Sequence, residues 1–249
     1  MRGIVLAGGL GTRLGSLTRI HNKHLLPIYD QPMIYYPIHT LVEAGITEIL
    51  IVTGGHGAGD FLRLLRNGAE FGLRHLNYAY QEGEGGIAAA LSLAAEFADD
   101  DPICVVLGDN ILENSIAPYV KKFRHQGTGA KILLSEVADR QRFGVPVMEG
   151  DRIVRVEEKP AEPKSPYAVI GVYMYDTRVF DIIKTLKPSG RGELEITDVN
   201  NAYIEMGDLS WDVIDGWWTD AGTFDSLLRA STLVSEMRER QAVRGTARD

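Results

Sequence analysis

A short apolar run, Ile4 to Ala7, stops in Gly8-Gly9-Leu10-Gly11 and is followed at once by Thr12 and Arg13. Glycines leaving a strand expose backbone N–H groups that bind phosphate oxygens, and they let the chain approach a ligand closely. The Thr12 hydroxyl and the forked donors of Arg13 suit a triphosphate. Two familiar phosphate loops do not match: no Gly-Lys pair ends a Walker loop, and the dinucleotide pattern fails because Leu14 stands in its last glycine slot. No Asp or Glu precedes Asp30, whereas Arg2, Arg13, Arg19 and Lys23 all do, with His21 and His24 among them. In a chain of net charge −8 this acid-free start protects a site for an anion, and Lys23 lies inside it. His24 is read as structural.

Three further positions carry chemistry on their own terms. Asp109 follows the most apolar run of the chain, Ile103–Leu107, and Gly108. A carboxylate beyond the end of a buried strand is well placed for Mg²⁺, which prefers oxygen ligands and bridges phosphates. Gln81 opens Gln-Glu-Gly-Glu-Gly-Gly after an apparent strand. Its amide offers a donor and an acceptor that match a pyrimidine edge, with Gly85 and Gly86 giving the backbone close passage. Along Arg152–Pro160, strict alternation puts Val154, Val156 and Glu158 on one face, which aims Glu158 into a polar pocket. Pro160 biases Lys159 toward extended geometry.

These positions need a frame. Ile4–Leu6, Ile49–Val52, Leu76–Tyr80 and Ile103–Leu107 read as strands, separated by helical stretches near Ile34–Ala44, Gly59–Asn67 and Ile87–Phe97. That order predicts an α/β fold: a single Rossmann-like domain with a mostly parallel, mixed central sheet flanked by helices. Later strands, at Ala130–Glu136, Arg152–Glu158, Ala168–Tyr175 and Leu209–Ile214, extend the same sheet. Helices are expected near Val179–Leu186, Glu195–Met206 and from Thr223 onward. Residues 1–249 read as one domain, with halves near 1–115 and 116–240 and a frayed tail at 241–249. The chain shows no repeat, low-complexity segment or linker.

With 249 residues, 45% hydrophobic and 24% charged, the chain is long enough for a full core. Its net acidity argues against nucleic-acid binding. No apolar run approaches a membrane span, and no signal-peptide pattern opens the chain, so membrane association is not expected and a cytoplasmic location is. The single cysteine, Cys104, lies in an apolar run and reads as a buried, inert thiol.

The quoted segments MRGIVLAGGLGTRL, NKHLLPIYDQPMIYYPI and GDN, then RFGV, EEKP, YAVIGVYMYD, RGELEITDVNNAY and WWTDAGT, resemble the sugar nucleotidyltransferases in order and spacing. They resemble most closely the short-form members that thymidylylate glucose 1-phosphate. The resemblance runs from Met1 to about the last helix; longer members carry an additional C-terminal segment. It implies the nucleotide-diphospho-sugar transferase fold, dTTP and glucose 1-phosphate as substrates, Mg²⁺ as cofactor, and a homo-oligomer whose product feeds deoxysugar synthesis. Gly8, Gly11, Thr12 and Arg13 would hold the triphosphate, with Lys23 beside the α-phosphate. Gln81 and Gly86 would read thymine. Asp109 and Asp220 would hold the metal, although spacing alone favours a helix-start role for Asp220. Gly144 and Val169 would meet the sugar through backbone contacts, Glu158 its hydroxyls, and Lys159 and Arg191 its phosphate. Glu193 and Glu195 read instead as helix N-terminal charges. The chain departs from the family at Phe143, where Tyr is common, at Ala89, where Gln is common, and at Phe224, where the short form has His.

Two other readings remain open. One is a related transferase using UTP, another nucleotide or another sugar phosphate; thymine and uracil differ by one methyl, worth only ~1–3 kcal/mol in an apolar pocket. The other is a non-catalytic module that binds a nucleotide sugar. Its mark would be damage to the charged set, but Arg13, Lys23, Asp109, Lys159 and Asp220 are all present.

Overall fold

A computed structural model describes residues 1–55 and 57–246. Its strands are β1 (Arg2–Ala7), β2 (Pro27–Ile28), β3 (Gln31–Pro32), β4 (Glu48–Gly54), β5 (His75–Gln81), β6 (Ile103–Leu107), β7 (Asn110–Leu112), β8 (Ala130–Glu136), β9 (Gly144–Glu149), β10 (Arg152–Glu158), β11 (Tyr167–Tyr175), β12 (Leu209–Val213) and β13 (Trp218–Asp220). Its helices are α1 (Tyr35–Glu43), α2 (Ala58–Leu65), α3 (Ile87–Ser92), α4 (Ala95–Ala98), α5 (Ala117–Gln126), α6 (Arg178–Thr185), α7 (Ile196–Glu205) and α8 (Phe224–Thr246).

Seven strands form one twisted sheet in the order β12-β8-β11-β6-β1-β4-β5. β11 runs antiparallel to both of its neighbours, and the other pairs are parallel, which is the mixed, mostly parallel sheet expected. The alternation of each strand splits the core into two layers. Ile4 and Leu6 of β1 pack with Val105, Ile132 and Tyr173 on one face, under α3, α6 and α7. Val5 and Ala7 pack with Ile51, Val106 and Val172 on the other, under α1, α2 and α5. Because both faces are covered, the central strands are apolar throughout. Cys104 is buried in the second layer, as expected. α8 closes a third, smaller cluster over Ile28, Met33 and Ile111.

Four local features differ from the sequence expectation. β10, expected to extend the central sheet, forms a separate two-stranded antiparallel sheet with β9, because the turn at Gly150, φ 59°, folds the chain straight back on that strand. The helix expected over 87–97 is two: the Leu93 and Ala94 amides bond to Ala90 and Leu91, a tighter three-residue pattern that ends α3 before α4 begins. α5 was not expected, since only Tyr119, Val120 and Phe123 mark its buried side. The frayed tail expected at 241–249 is helical through Thr246; residues 247–249 lie outside the described residues.

Candidate active site

The sheet brings several strand ends to one edge. Register sets Leu6 beside Leu107, Ala7 beside Thr53, and Gly54 beside Gln81. β1 has β4 on one side and β6 on the other, so the connections leaving β1 and β6 diverge and open a crevice where strand order reverses. Antiparallel β11 enters from the same edge, with Val172 level with Val106.

That crevice is a cavity of about 370 Å³. Gly8, Arg13, Lys23, Gln81, Gly86, Asp109, Gly144, Glu158, Lys159, Val169, Arg191 and Asp220 all line it. Gly11 and Thr12 do not. Gly11, at φ 68°, turns the loop over Lys23, whose Cβ would stand 2.9 Å from a Cβ at that position. Thr12 faces an adjoining cavity with Thr18, Arg19 and Asn22. Gly8 has no room for a side chain, since Gln81 Oε1 would lie 2.6 Å from its Cβ. The bare backbone at Gly86 answers to a different neighbour than a base. A Cβ there would stand 2.7 Å from the carbonyl oxygen of Leu194, and the Leu194 amide donates to Gly85. Gln81 Nε2 donates to the Gly86 carbonyl at 3.3 Å.

Asp109 and Asp220 face the same space. β13 pairs with β7 so that Asp220 lies opposite Asn110, and the Ala221 amide donates to the Asp109 carbonyl. Both acids are buried, and each has a cation. Lys23 Nζ lies 2.5 Å from Asp109, and Arg142 Nη2 lies 2.9 Å from Asp220. Burial opposes the Asp109 charge, but the Lys23 ammonium, His24 and hydrogen bonds from Lys23 and Asn110 outweigh it and hold this carboxyl below the usual range. Asp220 goes the other way: burial and the Asp109 charge push it up against the pull of Arg142, Arg13 and Lys23. Two acids opposing one another fit a hard divalent cation and leave its other positions to phosphate oxygens and water. Among the described residues no group of three His, Cys, Asp or Glu side chains forms a protein-only cage.

A second charged cluster lies around Arg191. Its guanidinium meets both Glu195 oxygens at 2.8 and 2.9 Å and reaches Glu158 and Glu193 at 3.4 Å. Glu195 sits at the start of α7, where a helix-dipole role was expected, but its carboxylate is turned to Arg191 and Ser189 instead. Glu158 is held from its other side by Thr197 Oγ1 at 2.6 Å. Residues 142–144 join the two clusters: Arg142 grips Asp220, Phe143 stacks edge-on against Trp218, and a Cβ on Gly144 would lie 3.7 Å from Glu158 Oε2.

Two backbone expectations near Glu158 are corrected. A bulge between Ile153 and Arg155 shifts the parity of β10, so Ile153 and Val156 are the fully buried residues, and Val154 is only partly buried. Glu158 keeps the face of Val156 and still enters the cavity. Lys159 is not extended: its φ is 44°, a left-handed conformation costing about 1–3 kcal/mol for a residue with a side chain. Its amide donates to the Phe143 carbonyl at 3.0 Å, a tertiary bond that overrides the bias of Pro160.

His24 is structural in the sense expected, yet it borders the cavity. Its Nδ1 lies 2.7 Å from Asn22 Oδ1, while Asn22 Nδ2 reaches the carbonyls of Ala7 and Gly54. Burial, then the Lys23 charge, pushes its pKa from 6.5 down to about 3. Below pH 6.5 the unfolded chain takes up this proton, and the folded chain does not until about 3, so stability falls on acidification through that window. Between pH 7 and pH 5 the loss from this group is about 2 kcal/mol. Urea unfolding of the native chain and His24→Gln at both pH values tests it: the variant should lose less stability by that amount, and equal losses contradict the assignment.

Sequence reasoning missed Asn110 and Arg142. Asn110 was inside the quoted GDN segment and Arg142 beside RFGV's phenylalanine, but nothing local showed what either side chain would reach.

The chain matches the nucleotidyl transferase family over residues 2–237. A glucose-1-phosphate thymidylyltransferase of Neisseria meningitidis is 45% identical over 97% of this chain and 85% of its own length. The one of Mycobacterium tuberculosis is 44% identical over 98% and 85%. A crystal structure of a candidate glucose-1-phosphate thymidylyltransferase from Bacillus anthracis, with bound sucrose, superposes with a TM-score of 0.90 at 51% identity over 94% of both chains. A UDP-glucose pyrophosphorylase bound to UDP-glucose, 23% identical over 94% of this chain and 98% of its own, shares the fold with a TM-score of 0.82.

Proposed function

Because the chain belongs to the nucleotidyl transferase family and is a nucleotidyltransferase, we propose that it transfers the thymidylyl group of dTTP to α-D-glucose 1-phosphate and releases pyrophosphate. The names of its relatives support the substrates. The observation that carries the reading is one cavity holding Lys23, Arg13 and Arg142 around two buried carboxylates, and Lys159 with Arg191 around Glu158, joined by residues 142–144.

In this reaction an oxygen of the sugar phosphate bonds to the α-phosphorus as the bond from that phosphorus to the bridging β-oxygen breaks. Pyrophosphate leaves with the electron pair. No general base is needed, because a phosphate monoester has its second pKa at about 6 and is mostly dianionic at neutral pH. What the protein must supply is the alignment of two polyanions and positive charge where charge moves. The amide-rich loop at Gly8 and Gly11, with Thr12 on its outer side, cradles the triphosphate, and Arg13 stabilises the leaving pyrophosphate. Lys23, next to Asp109, addresses the α-phosphate. Gln81 and the backbone at Gly86 read thymine. Gly144, Val169 and Glu158 receive the sugar, and Lys159 and Arg191 its phosphate; Glu195 presents the Arg191 guanidinium already oriented. Asp109 and Asp220 would hold a divalent cation, Mg²⁺ in this proposal, which when bound neutralises phosphate charge.

Pyrophosphate release over a grid of dTTP, UTP and CTP against several sugar 1-phosphates, with and without Mg²⁺, tests the assignment. The highest kcat/KM is expected for dTTP with glucose 1-phosphate, and none without the metal. A preference for another pair reassigns the substrates, and no release from any pair rejects the proposal. Gln81→Ala should flatten selectivity for dTTP and UTP over CTP about tenfold or more, the cost of losing a buried hydrogen-bonding pair. Unchanged ratios remove Gln81 from base recognition.

A further inference from the structure

We propose that Asn110 is a positioning residue for this reaction: its side-chain amide, locked in one direction by two obligate donors, orients the Asp109 carboxylate toward the cation. The inference rests on the transferase and metal-site reading above.

Asn110 opens β7 and is 2% exposed. Its Oδ1 accepts from the Gly171 amide at 2.9 Å and from Trp218 Nε1 at 2.6 Å. A backbone N–H and an indole N–H only donate, so the amide oxygen must face both. Flipping it would set an NH₂ group against two buried donors, leaving all of them unsatisfied. The Nδ2 group is therefore forced to point the other way, where it donates to Asp109 Oδ1 at 2.9 Å. One carboxylate oxygen is fixed in this way, and the other, Oδ2, is the one that meets Lys23. The arrangement is tight: a Cβ on Gly171 would stand 2.6 Å from Asn110 Oδ1, so only glycine admits it there. One donor comes from β11 and the other from β13, the strand that ends in Asp220. Asn110 thereby ties the orientation of the first acid to the strand carrying the second. A simple staple between strands would need only the acceptor; the donor to Asp109 is the part that bears on chemistry.

Asn110→Asp separates the two roles. It keeps an acceptor for Gly171 and Trp218 and loses the donor to Asp109. Manganese uptake in the presence of dTTP, followed by electron paramagnetic resonance on the full chain, is the main readout. Loss of an orienting partner should weaken Mn²⁺ binding 10–100-fold and lower kcat by a similar factor. The added negative charge alone would tighten it, so the sign of the change decides. The three tryptophans give three indole N–H signals, assigned with Trp218→Phe. The Trp218 signal should stay in place in Asn110→Asp, showing the staple intact. Unchanged or tighter Mn²⁺ binding overturns the proposal. If the variant does not fold, the native chain still tests it: the Asn110 side-chain NH₂ signals should remain distinct and shifted when Mg²⁺ and dTTP are bound, and their collapse overturns it. A native chain that takes up no Mn²⁺ with dTTP, and releases no pyrophosphate, overturns the transferase reading itself and this inference with it.

Discussion

Asp109→Asn should lose about 10³-fold in turnover, ~4 kcal/mol of barrier, while the chain stays folded. The asparagine keeps an oxygen for the Asn110 amide but no longer carries the charge that faces Asp220. Two stability effects oppose each other. Lys23, whose side chain is only 12% exposed, loses its ion-pair partner, and Asp220 loses the like charge that pushes its pKa up. Circular dichroism melts should therefore show a small shift beside a large loss of pyrophosphate release. Turnover within tenfold of native would remove Asp109 from the reaction, and a collapsed melt would make its role structural.

Arg13→Ala should cost about 10²–10³-fold in kcat, the usual loss for one well-placed group that meets developing charge. Here the fold has little at stake. Arg13 is exposed, makes no ion pair among the described residues, and rests its guanidinium near Gly222, where a Cβ would stand 2.8 Å from Nη2. Surface substitutions of this kind change stability by roughly 0.5 kcal/mol or less. Arg13→Lys should recover part of the loss, because an ammonium keeps the charge without the fork that two phosphate oxygens can share. Pyrophosphate release measured at saturating dTTP separates this from weakened binding. Undiminished release after Arg13→Ala would mean that another cation, with Arg142 the nearest candidate beside Asp220, meets the leaving group.

Much of the frame was legible because it is written in short range. The apolar run at Ile103–Leu107 announced a strand covered on both sides, and Cys104 within it is buried. The glycines after β1 announced a loop too bare to be ordinary, and Gly8 is bare because Gln81 fills the space. The acid-free start marked a stretch rich in cations, and Arg13 and Lys23 do line the cavity. Other features were hidden because their cause lies far along the chain. Lys159 is left-handed through a bond to Phe143, sixteen positions earlier, against the bias of the adjacent proline. Glu195 reads as a dipole charge from its place at a helix start, yet it serves Arg191. The β10 bulge buries Ile153 in place of Val154 without altering a single local propensity.

The sequence by itself determined the order of the central-sheet strands and most of the helices, the glycine loop and the inventory of charged groups, since each is set by neighbours within a few residues. Only the tertiary structure decided that Arg142 clasps Asp220, 78 positions away, and that Asn110 faces Gly171 and Trp218, 61 and 108 positions away. The reason is that the direction of a buried polar side chain follows from which donors and acceptors surround it, and those arrive from other strands only when the sheet closes.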